Sequence, residues 1–213
     1  MPPTLVALSV GLPAELRVGE TVITSAIVKA TVHDRRWVTS TNIAGDRQAD
    51  LSVHGGPEKA VYAYPSEHYG DWQRELDLDA LPPGAFGENL TTRGLTETDV
   101  RIGDRFRIGS AAFIVTQPRM PCIKLAMKFG RADMIKRFTG VDRSGFYMAV
   151  EAEGEIGAGD AIEWLSRDSR GLTVAAVYRL KIDGGSRAAY EAAAAHPALS
   201  AGWRESFRRQ VQS

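Results

Sequence analysis

The sequence predicts an α+β protein, mainly β, in which a β-barrel decorated by helices precedes a small C-terminal unit of three helices. Three observations lead there. Short runs that alternate apolar and polar positions, rich in β-branched residues and parted by glycine turns, dominate the first 165 residues. Few helical periods interrupt them, which favours a closed or nearly closed β arrangement over a parallel sheet. Beyond residue 166 the texture changes: residues 188–195 are alanine-rich, and Leu199, Trp203, Phe207 and Val211 recur every four positions as an amphipathic stripe.

Taken in order, residues 5–10 and 22–28 read as the opening strands. Residues 32–57 are rich in Asp, Thr, Asn and Gly without a sustained period, which predicts a long surface segment of the kind that often carries function. Residues 59–64 (KAVYAY) form the next strand, after which Pro65 and Ser66 open a helix through residue 75 with Tyr69, Trp72 and Leu76 on its apolar face. Pro82, Pro83, Gly84 and Gly87 break the chain before a short strand at 89–91. Further strands are expected at 105–108, 111–117, 146–153 and 161–165, with helices at 124–129 and 133–138 split by Gly130 and ended by Gly140. Residues 172–213 give three short helices interrupted at Gly184-Gly185 and His196-Pro197. The division is a β domain over 1–167 and a helical appendage over 172–213.

Composition narrows the function classes. The 213 residues carry 26 Lys plus Arg against 26 Asp plus Glu, so a neutral chain lacks the basic footprint of a nucleic-acid binder; residues 172–213 reach only +3. With 44% apolar and 24% charged residues the chain is an ordinary globular one that needs no disulfide staple at this length. The single cysteine, Cys122, excludes an intrachain disulfide and any multi-cysteine zinc or iron-sulfur site, and suits a reducing, cytoplasmic setting. The N-terminus has no basic start and is broken by Pro2, Pro3, Gly11 and Pro13, so no export signal is read. The longest purely apolar run, residues 111–115, is far short of the roughly 20 needed to cross a bilayer, and no membrane partner is expected.

Familiar catalytic signatures are absent: there is no Walker loop, no G-x-G-x-x-G opening a βαβ unit, no H-E-x-x-H and no G-x-S-x-G elbow. The informative stretch is Gln117-Pro118-Arg119-Met120-Pro121-Cys122-Ile123-Lys124, which puts the thiol after a strand, behind two prolines and at a helix start. Arg119, Lys124 and exposed helix N–H groups favour a thiolate there, and residues 119–143 hold seven Lys or Arg against Asp133 and Asp142, which suits an anionic ligand. A buried, small apolar cysteine is the competing account, and Lys128, Arg131, Lys136 and Arg137 fit a solvated helix face equally well. A second cluster runs from Gly45 to Lys59, where tandem Gly55 and Gly56 allow close backbone approach, His54 could donate a proton or bind phosphate, and Lys59 could pair with an anion. In the third, Gly84 to Leu90, Phe86 could anchor a loop while Glu88 and Asn89 bond the edge of a heterocycle.

Together the runs GDRQADLSVHGG, KAVYAYPSEHYGDW, GAFGENLTTRGLTETDVRIGDRF, QPRMPCIKL and GEIGAGDAIE resemble the MOSC family, named for the C-terminal domain of molybdenum cofactor sulfurases, in its YiiM-type branch. The match spans residues 23–166, and the tail from TVAAVYRL to LSAGWRESFRR is similar to that branch's three-helix appendage. The resemblance implies a β-barrel that binds the molybdenum cofactor, with Cys122 as the metal ligand, and an enzyme that reduces N-hydroxylated compounds such as hydroxylaminopurine to amines. It further implies cofactor contacts from Lys29 on the second strand and from His54, Gly55, Gly56, Lys59, Asn89, Arg119 and Lys124. His54 is the candidate proton donor beside Cys122. With no flavin, haem or iron-sulfur motif, electrons are expected from an external reductase, which the C-terminal unit could dock; that unit could equally form a homodimer. The other reading is a carrier of the cofactor or of sulfur, without turnover.

Overall fold

A computed structural model describes residues 2–49 and 55–212. One mixed sheet of eight strands dominates it, in the order β12 (Ile162–Ser166), β8 (Arg105–Ile108), β9 (Ala111–Pro118), β10 (Phe146–Ala152), β6 (Val61–Pro65), β7 (Leu90–Arg93), β1 (Thr4–Val10) and β4 (Ala30–Val32). All neighbours are antiparallel except β6 and β7. A parallel pair needs a crossover, and here α1 (Tyr69–Leu76) and the proline-glycine run that follows supply it. The start of β1 also meets the run into β12: Leu5 N donates to Asp160 O at 2.9 Å and Ile162 N to Pro3 O at 2.8 Å. The sheet therefore curls until strands far apart in its order touch. The hairpin β2 (Ala14–Val18) and β3 (Thr21–Ser25) and the pair β5 (Arg36–Val38) and β11 (Gly154–Ile156) stand outside it.

Alternation places the core. In β8, Phe106 and Ile108 are buried while Arg105 and Arg107 face out, as a strand with one wet face requires. Strand β6 is buried at all five positions because it has a core on each face. Val61 and Ala63 join the main apolar cluster inside the curled sheet, whereas Tyr62 and Tyr64 join a second cluster with Trp72, Phe86, Leu125 and Phe138. That second cluster is built by α1, α2 (Ile123–Phe129) and α3 (Met134–Thr139) lying over the sheet's outer face. Phe86 is its keystone, fully buried and stacked on Tyr64 with ring centroids 4.5 Å apart, and it also touches Trp72, Phe129 and Phe138.

The α+β class and the C-terminal helical unit agree with the sequence reading. Helices α4 (Val174–Ile182), α5 (Arg187–Ala194) and α6 (Ala201–Gln212) follow β12, and side chains of Thr173 and Ser186 cap the first two by accepting from Ala176 N and Ala189 N. Leu199, Trp203 and Phe207 are buried and belong to the same apolar cluster as the sheet's interior. Among the described residues no helix is long and apolar enough to cross a membrane.

Two expectations need correction. The segment 32–57 is not simply a surface loop: it contains β5, and Val38, Ile43 and Asp46 within it are buried. The strand expected at 22–28 ends at Ser25, so Lys29 is not on it but lies just before β4.

Phe86→Ala should lower unfolding free energy by about 3–5 kcal/mol, read from the denaturant midpoint, because a large void opens under α1 and α3. Leu165→Ala, at a strand position 42% exposed, should move it by less than about 0.5 kcal/mol.

Candidate functional site

Three chain segments meet at a cleft of about 120 Å3, or about 710 Å3 with its open mouth. The first follows β9, where the chain leaves the sheet through Pro118 and turns at Pro121 into α2. Cys122 caps that helix in an extended conformation, its carbonyl accepting from Leu125 N at 2.9 Å, and its free thiol is half-buried at the cleft wall. Arg119 and Lys124 line the same cleft.

Arg119 is only 5% exposed. Its guanidinium lies 5.0 Å from the centroid of the Tyr62 ring and 5.5 Å from that of Phe138, and its Nη1 is buried with no hydrogen-bond partner among the described residues. Burial opposes its charge, but Tyr62, Tyr147 and Cys122 close by more than offset this and hold its pKa above the ordinary value. Burial likewise raises the Tyr62 and Tyr147 phenols, with Arg119 opposing, so both stay protonated at neutral pH. A buried N–H without an acceptor is costly. Arg119 as a whole also lines the cleft.

The second segment is built on Asp46. Its side chain is 3% exposed and accepts from Lys29 Nζ at 2.5 Å, Gly11 N at 2.7 Å and Asn89 Nδ2 at 3.0 Å. Burial pulls the pKa of Lys29 below its ordinary value, against the pull of Asp46 and, more weakly, Glu88. Lys29 lines the cleft, yet its ammonium is spent on the protein. Asn89 lines it too and is spent as well: its other contacts run to Ser9 O at 3.3 Å and from Tyr62 N at 3.3 Å. The amide joins three strands in place of reading a ligand edge.

The third segment contains the glycine loop. Gly55 and Gly56 have φ of 100° and 84°, which only glycine adopts freely, and Gly55 lines the cleft while Gly56 starts the short helical turn Pro57–Lys59. Lys59 also lines the cleft. His54 lies outside the described residues.

Glu88 does not face a ligand. It is fully buried, accepts from Gly84 N at 2.8 Å, Phe86 N at 2.9 Å and the Tyr69 hydroxyl, and so fixes the 84–88 turn. Nor is Lys128 on a solvated face: its Nζ donates to Gly84 O at 2.6 Å and Ile27 O at 3.0 Å. Asp46, Tyr62 and Tyr147 are cleft residues that sequence reasoning did not single out, and Arg47 is one to which it assigned no role. Asp46, Arg47 and Tyr62 lie within the quoted runs GDRQADLSVHGG and KAVYAYPSEHYGDW, which do not set them apart from their neighbours, and only the register of β6 against β10 pairs Tyr62 with Tyr147.

The charged residues of the described lining are thus five cations, Lys29, Arg47, Lys59, Arg119 and Lys124, against one carboxylate, Asp46. Among the described residues no three His, Cys, Asp or Glu side chains gather to hold a metal. The cleft offers one soft thiol, backbone at a glycine loop and an orphaned guanidinium N–H. Such a set fits an anionic metal-bearing cofactor that brings most of its own metal ligands.

Comparison with known proteins agrees in extent and place. The MOSC domain model matches residues 50–163, and a YiiM-like 3-alpha helix domain model matches 183–213. The uncharacterized protein YflK of Bacillus subtilis is 40% identical over 208 residues, covering 97% of this chain and 94% of that one. A reductase of Gibberella moniliformis is 38% identical over 148 residues, 68% of this chain but 26% of the reductase. The crystal structure of YiiM from Geobacillus stearothermophilus superposes with a TM-score of 0.84 at 35% identity, over 99% of this chain and all (100%) of that one.

Asp46→Asn should cost about 3–5 kcal/mol at neutral pH, since it leaves the Lys29 ammonium buried without its carboxylate. Asp46 holds the folded-state pKa of Lys29 up, so its removal drops that pKa further below 10.5. Between the depressed value and 10.5 the unfolded chain binds more protons, so stability climbs with pH. The wild type gains in the same way above its own, less depressed value, so denaturant titrations should show a deficit that narrows as pH rises from the variant's Lys29 value to the wild type's; a constant deficit would refute the ion-pair account.

Proposed function

Because the chain belongs to the MOSC domain family, we propose that it is a molybdenum-cofactor-dependent reductase of N-hydroxylated compounds, with the Cys122 thiolate as protein ligand to the metal. One observation carries the reading: a free, half-buried thiol shares a cationic cleft with Arg119, whose buried Nη1 has no acceptor. The relative named a reductase supports the reaction class.

Bound in the cleft, the cofactor supplies two-electron oxygen-atom chemistry that no side chain provides. The chain's own residues bind and orient. Cys122 offers the soft donor that molybdenum accepts, and its place between Pro118, Pro121 and α2 fixes the direction of the Cα–Cβ bond. Arg119, Lys124 and Lys59 would neutralise the negative charge of the bound cofactor, and Gly55 and Gly56 would offer it backbone N–H donors. Lys29 and Asn89 act at one remove, through Asp46, by holding the wall on which those groups sit. Reduction of R–NHOH to R–NH2 and water consumes two electrons and two protons. Electrons arrive from a partner reductase, and His54 delivers a proton to the leaving oxygen near neutral pH.

Cys122→Ser, made in a host that supplies the cofactor, should lose bound molybdenum and all turnover with an artificial electron donor, while its melting temperature stays put. Full molybdenum content in that variant would remove Cys122 from the metal. His54→Ala should retain molybdenum and lose about 10²- to 10⁴-fold in turnover, the range of one general acid. Cofactor bound without turnover of any hydroxylamine in the wild type would instead mark a carrier.

A further inference from the structure

A second cavity, of about 240 Å3 or about 530 Å3 with its mouth, lies next to the cleft. Ile27 lines the cleft, Val28 lines the cavity, and Lys29 borders both. The cavity wall is hydrocarbon from Leu81, Pro82, Pro83, Ala85 and Phe129, with one charged group to which nothing above assigns a ligand, Lys128.

Lys128 is poorly compensated. An ammonium carries three donors, and among the described residues the hydrogen-bond acceptors of Nζ are two neutral carbonyls, Ile27 O and Gly84 O. No described carboxylate forms an ion pair with it. Glu88 acts from farther off and is itself committed to the backbone of the 84–88 turn, while Arg119 and Lys29 repel. Burial together with these neighbours pushes its pKa down to about 8, so at neutral pH it is a charged group that an anion would relieve. A bare phosphate would lose its hydration against the prolines and phenyl ring for one ammonium in return. A carboxylate attached to a ring loses less and gains apolar contact. Size permits this, as an engineered apolar cavity of about 150 Å3 already takes benzene.

We infer that this second cavity binds small aromatic monocarboxylates, with the carboxylate on the third N–H of Lys128 and the ring against Leu81, Pro83, Ala85 and Phe129. None of these side chains lines the cleft, so the site can be tested without cofactor.

Benzoate and its neutral counterpart benzamide test it on the whole chain without cofactor, by calorimetry and by methyl NMR of Leu81 and Ala85. Benzoate should bind saturably, shift both methyls, and outbind benzamide by at least about tenfold at neutral pH, as a charge-assisted bond requires. Its affinity should fall as pH rises past about 8, where free Lys128 gives up its proton. Lys128→Met should erase the preference for benzoate, and Lys124→Gln, in the first cleft, should not. No benzoate binding, equal binding of the two probes, methyls that stay still, or a preference lost in Lys124→Gln instead would each overturn the inference. The probe comparison and the pH series use the wild type, so they decide the matter even if Lys128→Met does not fold.

Discussion

The carboxylate of Asp46 accepts three hydrogen bonds, from Gly11, Lys29 and Asn89, and these donors sit at the ends of three neighbouring strands of the sheet, β1, β4 and β7, which it ties to the loop that carries it. Gly11 follows β1, Lys29 precedes β4, and Asn89 leads into β7 and receives a bond from the first residues of β6. Without the acid the buried Lys29 ammonium would lose its counter-charge, and without these donors the acid would be a buried orphan. Their mutual dependence draws the segments into one wall. Because a single carboxylate answers a cation and two neutral donors, that wall is finished without adding negative charge to the cleft in front of it.

The electrostatics of the cleft follow from this. Five cations on a formally neutral chain converge on one depression, and one of them, Lys29, has its counter-charge built in through Asp46. Arg119 shows the opposite solution: aromatic rings of Tyr62 and Phe138 stabilise its charge by their faces, which leaves Nη1 still seeking an acceptor. Ring faces attract a cation without using up its hydrogen bonds. The guanidinium is thereby kept charged, rigid and chemically available, whereas a carboxylate partner would have satisfied and silenced it. Lys128 is a third case, tied to carbonyls that satisfy hydrogen bonds and leave charge uncompensated.

Strands such as β8 were legible in the sequence because RFRI alternates with the pleat, and the buried run VYAYP of β6 because nothing interrupts it. Strands β4, β5 and β11 have three residues each, and β2 is mostly exposed, so none leaves a hydrophobic period to read. The parallel pairing of β6 with β7 depends on where the 82–89 run folds, which composition does not encode. At the site, Cys122 and Arg119 stood out because a lone thiol just after Pro118 and Pro121, beside cations and at a helix start, is rare. Asp46 did not, since one carboxylate in a polar loop looks like any other until three donors surround it. Lys128 was misread for a related reason: its position on α2 suggests solvent, and only the turn at Gly84, held in place by Glu88, and the segment after β3 bring the carbonyls of Gly84 and Ile27 to its tip.

The C-terminal helices complete the same logic. Their four-residue apolar stripe suggested a unit with its own interior, yet Val174, Val177, Trp203 and Phe207 share the interior of the curled sheet. Their contact with the site runs through Glu58, in the turn that follows Gly55 and Gly56. Ala201 N, at the start of α6, donates to Glu58 Oε1 at 3.0 Å, and Thr116 Oγ1, on β9, donates to Glu58 O at 2.6 Å. Ser200 N donates to Thr116 O at 3.2 Å and closes the triangle. The end of the glycine loop is thus fastened to β9, the strand that leads into Arg119 and Cys122, and to the appended helices together. Glycines that allow close backbone approach also carry the most conformational freedom; a clamp three residues downstream of Gly55 restricts it, and that clamp is where the tail of the chain reaches the cleft wall.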